Sequence, residues 1–483
     1  MLCMKNVRKA TALLLCICLF ATFLLFAGCG TKDDTGDVHE GETVEVWTPE
    51  NILEKPVTAD DLRIGSYVSF ADTKKGWSAV DQIERYYYAG INFMPLASTI
   101  PSAGMLTKEE KEYISRDLTS SLWWGKIDQV MTEYNMVYYF HSRGGLGADF
   151  ESVASRSSML SDEALDDART IIPTLQNCVG VHVVDEPAES AFADCALWAR
   201  RYAAIKGDDG ESLGLDALVN MLPEVNFAGW MEQAGSSVGV LGHDSYPFNA
   251  GGTNYDVLRQ MNTMRKVANE YGVRLSCFPQ SCAWAGKRMP NFEEIEWNIN
   301  TYLAFGFTQF MYFNYIMYPN EGCYDAVFAM DGSVLHPELH ESLTQFHKEL
   351  RALDANIGLN GLKAAEVYLT SSSAPGGTDR LPDGWIVDRE GLAGKDLILS
   401  LFMPKEEGKE DAYSYLNIVN NSFETAVEDQ EFYLGADSGI TGLERYNYKT
   451  GLFEKVNLIN GSFILSLDKS ESVFLRILED VNV

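Results

Sequence analysis

From residue 62 onward, short and almost uninterrupted apolar runs alternate with longer segments in which apolar positions recur every three or four residues. The runs are RIGSYVSF (63–70), GINFMPL (90–96), MVYYFH (136–141), CVGVHVVDE (178–186), LDALVNML (215–222), SVGVLGHDSY (237–246), RLSCFPQS (274–281) and FTQFMYFNY (307–315). Runs this short and this apolar predict strands covered on both faces. After the fourth run, Phe192, Cys195, Ala196, Ala199 and Ala203 fall at helical spacing and form a core-facing stripe, and Phe292 to Ala304 repeats the pattern after the seventh. Eight strands alternating with helices predict a parallel sheet under a helical layer. The count fits a (β/α)8 barrel, with an open doubly wound sheet as the alternative. No GxGxxG or GxxxxGK[ST] follows any run, which weakens a nucleotide-binding open sheet.

The helical pattern stops near Leu359-Asn360-Gly361. Beyond it, AAEVYLT (364–370), DLILSLFM (396–403), YSYLNIVN (413–420), QEFYLG (430–435), GLERYNY (442–448), SFILSL (462–467) and SVFLRI (472–477) sit between turn residues such as Lys449-Thr450-Gly451 and Asn460-Gly461. That spacing predicts an antiparallel β-sandwich over 361–483, after a barrel over 62–360. Residues 30–60 are polar, acidic and aperiodic, so 29–61 is expected to be a flexible tether reaching about 30 Å.

The first residues are expected to be a targeting signal rather than part of the fold. Lys5, Arg8 and Lys9 are followed by an uncharged stretch from Thr11 to Gly28, ending in Phe26-Ala27-Gly28-Cys29. Small residues before a cysteine resemble the lipobox of bacterial lipoproteins. That resemblance implies cleavage after residue 28, lipidation of Cys29 and a membrane-anchored, extracytoplasmic protein. An uncleaved transmembrane anchor is the alternative, and it puts residues 30–483 on the same side.

Composition narrows the function by exclusion. The chain of 483 residues carries 38 Lys+Arg against 69 Asp+Glu, a formal charge of −31, so phosphate-based nucleic-acid binding is set aside. Cys178, Cys195, Cys277, Cys282 and Cys323 lie far apart in apolar surroundings without a CxxC pair, which predicts packing thiols and neither a zinc site nor a disulfide framework. No HxH or HExxH spacing links His141, His182 and His243, so neither a catalytic metal nor any other cofactor is expected.

Active sites of (β/α)8 barrels lie at the carboxyl ends of the strands. There the sequence offers Asp185-Glu186-Pro187 after strand four, His243, Asp244 and Tyr246 after strand six, Gln280 and Trp284 after strand seven, and Tyr312, Asn314 and Tyr315 at strand eight. Pro187 is expected to hold Glu186 extended and to open the next helix. The strand-four triplet resembles the Asn-Glu-Pro of clan A glycoside hydrolases, (β/α)8 enzymes such as β-galactosidases and mannanases. The likeness spans the barrel, about 62–352, and extends to the aromatic end of strand eight and the appended β-domain. It implies hydrolysis of O-glycosidic bonds of an oligo- or polysaccharide, with Glu186 as acid/base. Two residues depart from the family. Asp185 stands where Asn is usual, and Gln280 stands about where the nucleophilic Glu is expected; an amide cannot attack an anomeric carbon. A barrel that binds glycan without cleaving it is therefore the second reading.

Glycoside cleavage needs one protonated carboxyl and one carboxylate. Glu186 fits the acid, since Asp185 and apolar neighbours both raise its pKa. Asp244 is the best second carboxylate, ahead of Glu321 and Asp325. Strands four and six are not adjacent, so their carboxyls are expected about 6.5–9.5 Å apart, the inverting distance. In that scheme Asp244 is the general base and Gln280 orients the water or substrate. Asp185, His243, Tyr246, Trp284, Tyr312, Asn314 and Tyr315 are expected to contact the sugar.

Overall fold

The apolar runs pair in chain order. In the computed structural model, which describes residues 45–67, 79–95, 121–141, 159–319, 322–406 and 413–479, β1 (Arg63–Ser66), β2 (Phe93–Met94), β3 (Val137–Phe140), β4 (Cys178–Asp185), β5 (Asp216–Met221), β6 (Val240–Asp244), β7 (Arg274–Phe278) and β8 (Phe307–Tyr312) form one parallel sheet in the order β1-β8-β7-β6-β5-β4-β3-β2. The two ends of that order meet at Asn92. Its N–H donates to the Ile64 carbonyl at 3.1 Å, and its side chain bonds the Ile64 N–H and the Leu62 carbonyl, both at 2.8 Å. A side-chain amide, donor and acceptor at once, thus stands in for ladder bonds and nearly closes the barrel.

Each strand is followed by a helix: α1 (Ala79–Tyr88), α2 (Ser121–Glu133), α3 (Asp162–Ile171), α4 (Phe192–Ala203), α5 (Phe227–Ala234), α6 (Val257–Tyr271), α7 (Phe292–Ala304) and α8 (Pro337–Ile357). The predicted stripe of α4 is buried, and α7 begins at a capping box in which Asn291 and Glu294 satisfy each other's backbone N–H. The (β/α)8 barrel implied by the sequence is the fold observed.

Side-chain alternation along the strands splits the core in two. Phe93, Val137, Tyr139, Leu218, Val240, Phe278 and Met311 fill the lumen, while the intervening residues pack against the helices. The lumen floor, at the amino ends of the strands, is polar. Arg63 Nη1 lies 2.5 Å from Asp216 Oδ2, 2.9 Å from Gln309 Oε1 and 3.0 Å from the Tyr139 hydroxyl.

The C-terminal region forms two antiparallel layers. The larger has the order β9 (Leu362–Leu369), β10 (Leu397–Pro404), β11 (Tyr415–Asn420), β16 (Ser472–Glu479), β13 (Ile440–Asn447) and β14 (Leu452–Lys455); β12 (Val427–Tyr433) pairs with β15 (Ser462–Leu467). Leu397, Leu399, Leu416 and Ile418 face Phe432, Phe463 and Leu465 inside the sandwich, while Ile398, Phe402, Tyr415 and Val419 join the barrel core. Both faces of the larger sheet are thereby buried. The sandwich is docked on α6 and α7: Arg265 Nη1 donates to the Ala365 carbonyl (2.7 Å), Trp297 Nε1 to Asn421 Oδ1 (2.8 Å) and Ser470 Oγ to the Glu293 carbonyl (2.6 Å).

Of the tether expected over 29–61, residues 29–44 lie outside the described residues, and 46–61 are packed on the barrel. Ile52 is buried, its carbonyl accepts from Arg351 Nη2 at 3.2 Å, and the Trp47 backbone both donates to and accepts from the Asn356 side chain. A local turn, with the Thr48 N–H donating to Asn51 Oδ1 at 2.7 Å, allows this polar stretch to pack. The leader, Cys29 and Glu321 lie outside the described residues. Among the described residues no helix is long and apolar enough to cross a membrane.

Candidate active site

At the carboxyl ends of the strands is a cavity of about 250 Å³, bounded among the described residues by Tyr67 after β1, Asp185 and Glu186 at β4, Asn220 in β5, Asp244 and Tyr246 at β6, Phe278 in β7, Trp284, and Phe313 after β8. The rings of Tyr246, Trp284 and Phe313 pack edge-on or tilted at centroid distances of 4.8–5.3 Å and make one wall. The other wall is acidic.

Neighbouring residues of a strand face opposite ways, so Asp185 and Glu186 cannot both reach the lumen as strand residues. The chain resolves this with backbone strain. β4 stops at Asp185, and Glu186 takes φ +46°, a left-handed conformation uncommon for a side chain of this size, while its N–H donates to the Asn220 carbonyl at 2.8 Å. Glu186 is therefore not extended as the following proline implied, and a short 3₁₀ turn, Glu189–Ala191, intervenes between Pro187 and α4. The twist brings both acids to one mouth.

Asp185 is held on both oxygens, with Asn220 Nδ2 donating to Oδ1 at 2.8 Å and the Tyr67 hydroxyl to Oδ2 at 2.9 Å. Burial raises its pKa, and these two donors oppose the rise. Asp244 sits deeper. Its pKa is driven well above the ordinary carboxylate range, first by burial, then by the charges of Glu186 and Asp185 and by a hydrogen bond with the Glu186 carboxyl, with Tyr246 acting in the opposite sense. A buried carboxyl hydrogen-bonded to a second acid is the more stable for keeping its own proton. A hydrogen bond between the two carboxyls is closer than the separation expected for Asp244 acting as a base across a water. The barrel's curvature brings β4 and β6 ends together across one intervening strand.

Five other expected contacts lie elsewhere. His243 is the strand neighbour of Asp244 and faces out, its ring about 6 Å from those of Phe227, Tyr302 and Phe307, with burial lowering its pKa to about 3. Tyr312 points outward for the same reason and bonds His347 Nε2 at 2.8 Å. Tyr315 is buried against Phe328 and His347. Asn314 is buried behind Phe313, its N–H donating to Cys282 Sγ at 3.0 Å. Gln280 is a clamp: its oxygen accepts from the Phe248 N–H (3.1 Å), and its amide donates to the carbonyls of Phe248 (3.1 Å) and Arg288 (2.7 Å). A carboxylate has no proton to donate to those carbonyls, which explains glutamine here. Asp325 pairs with His336 Nε2 at 2.8 Å and does not line the cavity.

Tyr67, Asn220, Phe278 and Phe313 were not singled out from the sequence. Counting every second residue back from a strand's polar end would have found Asn220 and Phe313. The same count back from Gln280 reaches Phe278, whereas Tyr67 carries no such signal in its run. Among the described residues no group of His, Cys, Asp and Glu is arranged to hold a metal ion.

No family model matches the chain, and no curated protein matches it. Solved structures do. A β-galactosidase from Bacillus circulans sp. alkalophilus is similar with a TM-score of 0.49 and 11% identity, over 87% of this chain and 99% of that one. An α-amylase from Geobacillus thermoleovorans complexed with acarbose gives 0.48 and 10%, over 88% and 100%. AmyP in complex with maltose gives 0.48 and 12%, over 88% and 98%. These neighbours are glycoside hydrolases. At such scores and identities the likeness carries no argument about chemistry, which rests on the residues of this chain.

Proposed function

We propose that the chain hydrolyses O-glycosidic bonds of an extracellular glycan, with Glu186 as general acid, and that it works as a lipoprotein anchored through Cys29. The observation that supports this most is the gathering of Asp185, Glu186 and Asp244 in one aromatic-walled cavity at the barrel mouth. A carboxyl that keeps its proton near neutral pH is what a leaving oxygen needs. In this reading Glu186 gives its proton to the leaving oxygen as the C1–O bond breaks, the neighbouring acids oppose the positive charge at the anomeric carbon, and a water adds at C1 and returns a proton to Glu186. The rings of Trp284 and Tyr246 offer apolar faces to a sugar, and the cavity lies below the roughly 300–1,000 Å³ of drug-sized ligand pockets, which favours a single small unit.

A second reading, glycan binding without cleavage, is favoured by one specific observation: β7 contributes Phe278 and its loop the clamped Gln280, so no strand-seven carboxylate faces the cavity. Sugar released from a polysaccharide panel by the full chain, and not by Glu186→Gln, supports hydrolysis. Binding without release supports the second reading, and neither result sinks both. For the anchor, Cys29→Ala is expected to free the protein from membranes. A variant that stays in the membrane fraction and retains residues 1–28 is held by a transmembrane segment instead.

A further inference from the structure

Two thiols far apart in the sequence meet behind the aromatic wall of the barrel mouth. Cys282 follows β7 and Cys323 follows β8, and the two form one small buried cluster with Ala326, against which Trp284, Phe313 and Met317 pack. Their side chains are in hydrogen-bond contact. That contact draws the Cys323 thiol below its ordinary pKa, against burial, while burial and the same contact push the Cys282 thiol up. Cys282 Sγ also accepts from the Asn314 N–H at 3.0 Å, which fixes the position of that sulfur. Cys195 and Cys277 lie instead in the core between strands and helices, with Cys178 at its edge. The strands that carry the pair are short. Cys282–Ala283 and Asp325–Ala326 run antiparallel, Cys282 opposite Ala326 and Ala283 opposite Asp325, and the Tyr324 N–H adds a bond to the Ala283 carbonyl at 3.0 Å. A ladder of two residues is marginal by itself, so a covalent tie has much to add there.

We infer that Cys282 and Cys323 are the two halves of a disulfide that staples the loop after β8 to the loop after β7, behind the wall made by Trp284 and Phe313. That the bond is formed in the working protein rests on the extracytoplasmic reading above, since disulfides persist outside the reducing cytosol. The oxidant is a disulfide-bearing molecule of that compartment. The thiolate of one cysteine attacks it and displaces one of its sulfurs, and the thiolate of the other attacks the mixed disulfide and displaces the second. Cys282 and Cys323 together lose two electrons, the oxidant's disulfide is reduced to two thiols, and the two protons lost by the cysteines end on those sulfurs. Both cysteines are buried in the finished barrel, so the exchange belongs to folding, before the loops close over them. The bond closes a loop of about 40 residues, long enough to restrict the unfolded chain substantially. That same separation, without CxxC spacing, hid the pair in the sequence.

Mapping the bridge in the full chain tests this. Protein isolated from its cells is trapped with iodoacetamide in denaturant without reductant, then digested for mass spectrometry. Cys178, Cys195 and Cys277 are expected to be alkylated, and Cys282 and Cys323 to appear in one cross-linked peptide that reductant splits. The purified chain refolded in a glutathione redox buffer should give the same peptide. Reductant present through a thermal scan should lower the parent's melting temperature by about 4–8 °C and leave Cys323→Ala unmoved, a difference that thiols serving only to pack would not produce. Should Cys323→Ala fail to fold, the peptide map of the parent decides alone. Free Cys282 and Cys323 after refolding in that buffer, or a bridge from either to another cysteine, overturns the inference, as does a parent that melts alike with and without reductant. Thiols free in the cell-derived protein but bridged after refolding keep the pair and sink the extracytoplasmic reading. A bridged chain that releases no sugar keeps the inference and sinks the hydrolase reading.

Discussion

At the amino ends of the strands Asp216 lies against the guanidinium of Arg63, 2.5 Å away, whereas at the carboxyl ends Asp244 shares a cavity with Glu186 and Asp185. Both aspartates are buried, at 8% and 6% exposure. At the floor the negative charge is matched and knitted to Tyr139, as expected of a layer whose task is to hold strands together. At the mouth like charges are crowded together and protons fill the deficit. Crowding of buried acids is unfavourable for folding, and its placement at the carboxyl face of the barrel is what separates a candidate site from a support.

The comparison can be broken most forcefully at Glu186. Glu186→Gln is expected to lower turnover of a natural glycoside by about 10²–10⁴-fold while ligand affinity persists; an unchanged rate of sugar release removes Glu186 from the mechanism. Next comes stability. Asp216→Ala leaves Arg63 buried without its partner and should cost about 3–5 kcal/mol in urea unfolding, whereas Asp244→Asn should cost nothing or stabilise. Equal losses at both ends would erase the distinction. Gln280→Glu, which replaces a donor by a second acceptor facing the Phe248 and Arg288 carbonyls, should cost about 1–3 kcal/mol and should not create a nucleophile.

The smallest effect is in the pH dependence. Asp244 has its folded pKa raised above the ordinary 3.8, so above that value the native state holds a proton that the unfolded chain has lost. Stability therefore falls as pH rises from 3.8 toward the folded pKa. Melting temperatures of Asp244→Asn and the parent should agree near pH 3.5 and diverge in favour of the variant toward pH 7. A gap that narrows with rising pH contradicts the assignment.

Much of this was legible in the sequence because barrels write themselves in periods. The alternation of apolar run and helical stripe gave the strand order, and the switch of period near Gly361 matched the change from helices to antiparallel strands. Asp185, Glu186, Asp244, Tyr246 and Trp284 were found because polar residues directly after buried strands have few other places to go. The errors share one cause: a string of residues does not say which face each one takes. His243 and Tyr312 adjoin cavity residues and so point the wrong way by strand parity, while Glu186 escapes parity only through its left-handed backbone. The distance between Glu186 and Asp244 was out of reach too, since it depends on barrel curvature.

That left-handed backbone also bears on how the site persists. Glycine adopts φ near +46° without penalty, whereas a residue with a side chain held in such a region stores about 1–3 kcal/mol. A chain shaped by stability alone would carry glycine at position 186 and would also lose a source of crowding around Asp244. Glu186→Gly should accordingly melt higher than the parent while losing its chemistry, the signature of a residue retained against the interest of the fold. On this view the mouth is the least settled part of a well-settled barrel, and a thermostability screen blind to activity would dismantle it first.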